Sequence, residues 1–527
     1  MVLRPVVRAA KSSVRAGPDK LRSQGIYVLS MQSVRSVIIV GAGSAGWLAA
    51  LVLNTYCPYL QLKLIRPRKN APIGVGESTQ ADFLRVLAAA RTDTQAFYKA
   101  CDATMKCGIY YEDWNAVGEH YWHPFSSLAL TGSYTAAHYY QQMILESPGR
   151  FSHNDYYAAV HPSYEICVKY KQVAPESAAA LHVDAKKITE YLEHNLSIVE
   201  VLEADNVDVR TADGKISGIV LDGNRTLSAD LYVDCTGFAR ALFKHVATPQ
   251  ILPYAANVNR AVTAQLPFAD IGSEITPYTR AHAHEHGWTW SIPLQTRIGS
   301  GYVYHGDFCS PEQAEKNFRA YWGEQRMRDV SVRHIAFDSV CLRNPWEKNV
   351  VAIGLSAGFV EPLEATGLNW IITSADLLCQ SLGARYYDED TRIKYNANIL
   401  GYIYDVQDFL DVHYKLSARR DSEFWKYQTS RQYAERLEMR LSLYAQEMPN
   451  DANRLKTSPW AFNEVSWLDI LNGYKFKYAK LNVNPLQTAL AQQAMQKIAS
   501  SPKQGLNPRT CMPSSAKPRD GGAQHRA

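Results

Sequence analysis

The chain has no CxxC pair and no zinc-type spacing among its nine cysteines. A scattered, odd set argues against a disulfide scaffold, gives no reason to expect a metal, and points to a reducing, cytoplasmic setting. A basic stripe on folded structure is missing too. The formal charge is +5, but residues 1–30 hold six Lys/Arg against one acid, and residues 501–527 hold five against one. The body between them is net acidic, so a nucleic-acid footprint is excluded. Internal repeats are absent.

The first 30 residues are Arg-rich but lack an apolar signal-peptide core. They read as a transit peptide or, more simply, as a disordered extension, since Met31 begins a sequence that runs straight into a strand pattern. From residue 501 the composition turns to Pro, Ser, Gly, Lys and Arg, and a disordered tail (501–527) is expected. Between these ends, 31–383 reads as one cofactor-binding module and 384–500 as a mostly helical region. Residues 36–62 carry no charge and are long enough for a membrane span. Gly41, Gly43 and Gly46 punctuate that run, which makes it strand, turn and helix instead, and no membrane partner is expected.

The turn is the first motif with chemistry in it. "VIIVGAGSAGWLAA" sets Gly41-x-Gly43-x-x-Gly46 directly after a β-branched strand and at the opening of a helix. The first glycine allows the tight turn, the second a close approach of pyrophosphate, the third close helix–strand packing. Gly41, Gly43, Ser44, Ala45 and Gly46 are therefore candidate cofactor contacts. The acid expected about 20 residues on, to hold the ribose, is absent; "KLIRPRKN" places Arg66 there. Two later strands, "ADLYVDCTG" (229–237) and "NVVAIGLSAG" (349–358), favour FAD over NAD, because flavoproteins of this build bring several strand ends to one long cofactor. Strands are expected at 34–40, 60–65, 215–221, 227–234 and 348–354. The fold class expected is α/β, an FAD-binding, Rossmann-like, flavin-monooxygenase-type fold with an additional β-sheet.

Six colinear segments then resemble the flavin-dependent tryptophan halogenases: "GAGSAGW", "IGVGEST" (73–79), "MKCGIYYEDW" (105–114), "ADLYVDCTG", "GWTWSIP" (287–293) followed by "GSGYVY", and "GLSAGFVEPLEATG" (354–367). The resemblance implies an enzyme in which reduced FAD, delivered by a separate NAD(P)H flavin reductase, reacts with O2 and converts chloride or bromide to hypohalous acid. That oxidant reaches a lysine beside an electron-rich aromatic substrate. Lys106 matches the catalytic lysine and Glu364 the essential glutamate, with Glu361 its competitor. Thr366 and Gly367 match the halide site, where free N–H groups at a helix start suit an anion. Ser78, Leu355 and Leu368 match cofactor contacts. Trp288, Trp290, Ile292 and Pro293 match the strand between flavin and substrate.

Alternation also places Lys106 on one strand face with Gly108, leaving open space beside the amine. The family's grip on free tryptophan uses adjacent tyrosines before a glutamate. The corresponding region here, "SPWAFNEVSWLDILNGY" (458–474), has none, although Trp460, Phe462, Glu464 and Trp467 are present. The expected substrate is thus an indole-like aromatic, only weakly free tryptophan. A homodimer is compatible with this reading. Two rivals remain: a single-component FAD-dependent aromatic hydroxylase, which needs neither halide nor Lys106, and a non-catalytic flavin-fold binding protein.

Overall fold

The computed structural model describes residues 32–68, 77–125, 130–131, 134–147, 149–174, 180–254, 256–383, 385–450, 461–479, 485–500 and 503–509. The expectations for 1–30, for 73–76 of "IGVGEST" and for Trp460 lie outside them.

Among the described residues, a six-stranded sheet forms the nucleotide side. Its order is Glu200–Glu203, Gln61–Arg66, Ser36–Val40, Leu231–Asp234, Val350–Ala352 and Trp346–Glu347, parallel except for the last pair. The three apolar runs at its centre are buried on both faces, as parallel strands under crossover helices must be. The uncharged stretch becomes the strand Ser36–Val40, the helix Ser44–Tyr56 and the start of the next strand. No helix among the described residues is long and apolar enough to cross a membrane.

A seven-stranded sheet forms the second layer, with Gly287–Pro293 at its heart between Ile298–Tyr304 and Thr279–His284. The indoles of Trp288 and Trp290 lie on one face of that strand, their ring centroids 6.1 Å apart. Trp290 pairs across the sheet with Gly301, where a Cβ would fall 2.3 Å from the indole. The ring therefore lies flat along the neighbouring strand. One apolar core joins the two large sheets.

A third sheet, Glu77–Ser78, Ala180–Val183 and Thr104–Lys106, bridges them. From Tyr386 onward the chain is mainly helical, with helices Glu389–Lys415, Glu423–Ser430, Glu435–Gln446, Glu464–Gly473 and Pro485–Ser500.

Three sequence expectations change. The strand expected at 227–234 is two: Arg225–Leu227 closes a hairpin sheet, and Leu231–Asp234 enters the parallel sheet. The polar break at Ser228–Asp230 separates them. Residues 503–509, expected in the disordered tail, pack against the body of the protein: Leu506 and Val173 exchange both backbone hydrogen bonds, at 2.6 and 2.8 Å. Third, Lys106 and Gly108 do not share a strand. The chain switches sheets at Cys107, whose N–H donates to Pro277 O at 2.7 Å. The space beside Gly108 is filled by Trp122, whose ring would meet a Cβ at 2.7 Å.

Candidate active site

The glycine turn is built from main chain. Gly41 has φ +106°, and a Cβ there would lie 2.3 Å from Cys235 O at the end of the adjacent strand. A Cβ on Gly46 would lie 1.9 Å from Gly41 O. Any side chain at either position forces the turn open. Gly43 differs, for nothing lies within 4 Å of its Cβ position. It precedes the helix Ser44–Tyr56, whose N-terminus has no side-chain cap. Open space in front of free N–H groups is the shape a pyrophosphate requires.

The other two strand ends converge here. Gly354 packs against Ala45, with 2.6 Å from its Cβ position to Ala45 Cβ. Leu355 and Phe238 are exposed apolar side chains on adjoining turns, and each offers surface to a flat ring. Arg66 forms ion pairs with Glu193 and Glu203, the latter at 2.6 Å. Its neighbours thus supply acids at the strand end where its own position lacks one. Ser78 turns its hydroxyl to Thr279 Oγ1 at 3.2 Å, and Leu368 is buried in the helix Thr366–Ser381.

That helix begins in an unusual way. Ala365 sits in the left-handed region (φ 57°, ψ 34°) and supplies no side-chain cap. Thr366 is fully buried, and its Oγ1 has no hydrogen-bond partner among the described residues. Nothing lies within 4 Å of a Cβ on Gly367. A strained peptide, an orphaned hydroxyl and a gap at the positive end of a helix together make a pocket for a small anion.

Immediately before it, Glu364 is fully buried. Its Oε1 accepts from Tyr111 Oη, and its Oε2 lies 2.9 Å from His123 Nδ1. Burial alone would raise this carboxyl; His123 and then His413 outweigh it and hold the group well below the usual carboxylate range. His413 Nε2 stands 3.3 Å from Oε1. Tyr474 Oη donates to His413 O at 2.6 Å, and Tyr121 Oη lies 2.9 Å from Tyr474 Oη and 2.6 Å from His413 Nδ1. Burial lowers the His413 pKa, opposed by the Glu364 carboxylate.

Lys106 is fully buried as well. Its amine donates to Thr79 O at 3.3 Å and lies 4.1 Å over the Phe125 ring. The next side chain, Gln80, donates to Glu364 O at 2.8 Å. Phe125 in turn contacts the His123 ring, with centroids 5.6 Å apart. Lysine and glutamate are therefore joined both through the 79–80 peptide and through the Phe125–His123 pair. Burial pulls the Lys106 pKa down to about 7, opposed by Glu364.

With this geometry in hand, the comparisons are decisive. Residues 36–492 match the family model for tryptophan halogenases. The chain belongs to the tryptophan halogenase family. A 7-chloro-L-tryptophan 6-halogenase from Kutzneria sp. (strain 744) is 30% identical over 442 residues, 79% of this chain and 86% of that one. The tryptophan 6-halogenase of Streptomyces toxytricini is 29% identical over 446 residues, 79% of this chain and 85% of that protein. Its crystal structure superposes with a TM-score of 0.79, covering 89% of this chain and 98% of that one. A tryptophan C-6 flavin-dependent halogenase (chlorinase) from taromycin biosynthesis gives a TM-score of 0.80 at 27% identity, over 90% of this chain and 98% of that one. The protein is thus an enzyme, a flavin-dependent halogenase on a Rossmann-like FAD-binding fold.

Several residues around Lys106 and Glu364 escaped the sequence. Tyr111 and His123 from two paired strands, and His413 from the helix Glu389–Lys415, surround Glu364. His182 lies on the strand beside Lys106, with Nδ1 3.1 Å from Thr104 Oγ1 and Nε2 3.0 Å from Thr279 Oγ1. Burial, then Lys106, drives its pKa well below the usual histidine value. Thr104 also donates to Pro293 O at 2.6 Å. That bond ties the lysine strand to the end of the strand bearing Trp288, Trp290 and Ile292. Phe462 stacks on Phe409 at 3.8 Å and lies 6.1 Å from the His123 ring. Its backbone is fixed there because Asp405 Oδ2 accepts from Ala461 N and Phe462 N at 2.8 and 3.2 Å. No local signal marked them: His123 in "HYWHPF" and His413 in "DFLDVHYK" lie in mixed polar and aromatic segments.

Proposed function

We propose that the enzyme uses reduced FAD, O2 and chloride or bromide to halogenate an indole-like aromatic ring. The observation that carries this is the pair of fully buried ionisable groups, Lys106 and Glu364, joined through Thr79–Gln80 next to an uncapped helix start. Groups of this kind are buried at a cost of several kcal/mol and persist where chemistry needs them.

The residues at the glycine turn fit FAD: Gly43 for its pyrophosphate, and Leu355 and Phe238 for apolar surface against its rings. When bound in reduced form with O2, the flavin supplies the oxidising equivalent for the halide. Thr366 Oγ1 and the N–H groups at Gly367 hold that halide. Trp288 and Trp290 keep the ring-bearing substrate and bulk water away from the flavin side. Near neutral pH the Lys106 amine exchanges readily between charged and neutral forms, so it can donate a hydrogen bond to an incoming oxidised halogen species. Phe125, beneath the Lys106 amine, and Phe462, beside His123, are the aromatic side chains that would border an aromatic substrate at this amine. Glu364 then takes the ring proton, held in place by Tyr111, His123 and His413.

A separate NAD(P)H flavin reductase is the partner this scheme requires, and the scattered cysteines favour a cytoplasmic setting. The test is a panel of indoles, free tryptophan included, incubated with a flavin reductase, NADH and bromide and read for the bromine isotope doublet. Products that are hydroxylated and not brominated would replace this function with a hydroxylase.

A further inference from the structure

The family match ends at residue 492, yet the chain returns to the active site after it. The strand Thr104–Lys106 is an edge strand whose inner side pairs with Ala180–Val183. The outward N–H of Met105 and those of the flanking Ala103 and Cys107 are taken by three unrelated segments. Ala103 N donates to Tyr98 O (2.9 Å), Cys107 N to Pro277 O (2.7 Å) and Met105 N to Pro508 O (3.1 Å). Tyr98 Oη donates to the same Pro508 carbonyl at 3.2 Å. Pro508 thus closes the edge one residue before the lysine. Leu506 anchors the segment through its two-way pairing with Val173. Gly505 N donates to Gln172 Oε1 at 3.1 Å, and Lys503 Nζ lies 3.2 Å from Glu165. Gly505 passes so close that a Cβ would lie 2.5 Å from Ile166 and 2.6 Å from Val173 O.

We propose that residues 503–509 form a strap that seals the open edge of the lysine strand and holds the Lys106 amine in its dry position over Phe125. The strap is a positioning element of this enzyme outside the region that defines its family, and its importance for catalysis rests on the role given to Lys106. An open strand edge invites water and fraying. Water beneath Met105 would resolvate the neighbouring amine and return its titration toward that of an ordinary lysine. The charged and titratable groups facing that amine are Glu364 from the loop before the helix Thr366–Ser381 and His182 from the adjoining strand. His123 and His413 stand behind the carboxylate, and Asp102, bound to Thr296 at 2.7 Å, precedes the strand. None of them belongs to the strap, so its removal acts through hydration alone.

Three proteins test this: a chain ending at Ser500, a chain ending at Thr510, and full-length Gly505→Val. Acylation of Lys106 by acetic anhydride, read by peptide mass spectrometry, needs no flavin and no turnover. Labelling should rise roughly tenfold or more in the 1–500 chain and in Gly505→Val, while the 1–510 chain matches the full-length protein. Halogenation kcat should fall roughly tenfold in the same two proteins, FAD affinity should hold, and the pH–rate inflection near 7 should move up. Unchanged Lys106 labelling in both altered proteins overturns the proposal, as does an equal rise at half-buried lysines such as Lys63 and Lys415, which would report general loosening. If the 1–500 chain does not fold, Gly505→Val decides alone. Labelling reads the strap whether or not the lysine is catalytic; Lys106→Met tests the lysine, so the two failures are distinguishable.

Discussion

The nucleotide side of the molecule works through main chain, and the substrate side through side chains. Around Gly41, Gly43 and Gly46 the useful features are a turn, a gap and free N–H groups. Around Glu364 they are a phenol, two imidazoles and an amine, each from a different strand or helix. The first kind of site is encoded in six consecutive residues. The second exists only once the fold has assembled it.

The sharpest way to break this comparison is within the glycines. Gly46→Val should unfold the nucleotide side, because the new Cβ meets Gly41 O at 1.9 Å; a cooperative melt recovered by circular dichroism would refute the close-approach argument. Gly43→Val meets nothing within 4 Å and should leave the melt intact while lowering FAD affinity by roughly 100-fold or more. Equal effects at the two positions would show that the gap at Gly43 is not where the cofactor sits.

On the substrate side, Lys106→Met and Glu364→Gln should each lower kcat by about 10²–10⁴-fold, with flavin titration unchanged. Next in size is the proposed halide site. Gly367→Ala puts a methyl into open space and should raise the apparent Kd for bromide roughly tenfold with no loss of stability; Thr366→Val should do the same by removing the orphaned hydroxyl. Bromide dependence equal to that of the parent would move the anion elsewhere.

The smallest expected effect is thermodynamic. The folded-state pKa of Lys106 is about 7, below the value near 10.4 of a free lysine. The unfolded chain therefore binds more protons between these values, and folding strengthens as pH rises through that window. Below pH 7 the full cost of burying the cation is present. Lys106→Met should accordingly stabilise the protein by on the order of 1–3 kcal/mol at pH 6 and hardly at all above pH 10, measured by chemical denaturation. A variant less stable than the parent at pH 6 would mean that the amine is better solvated than its burial indicates.

The same division explains what could be read in advance. The strand–turn–helix at 36–56, the seven residues of Gly287–Pro293 and the helix starting at Thr366 carry their reasons locally, as β-branched runs, glycine spacing and a switch to helical period. Lys106 and Glu364 were reachable through a family resemblance, not from burial patterns. Tyr111, His123, His413 and His182 were not reachable, because a tyrosine or histidine looks the same in sequence whether it packs in a core or bonds a functional side chain. The Gly108 expectation failed for a related reason: alternation assumes a continuous strand, and the chain leaves one sheet for another at Cys107.

Gly301 contributes no side chain, yet it sets how the Trp290 indole lies. Because nothing projects from it, the Trp290 indole reclines along the sheet. An alanine there would tip the ring upright and narrow whatever runs past it. The lie of that indole is thus written on the adjacent strand, and a screen for altered Trp290 placement should begin at residue 301 before it touches either tryptophan.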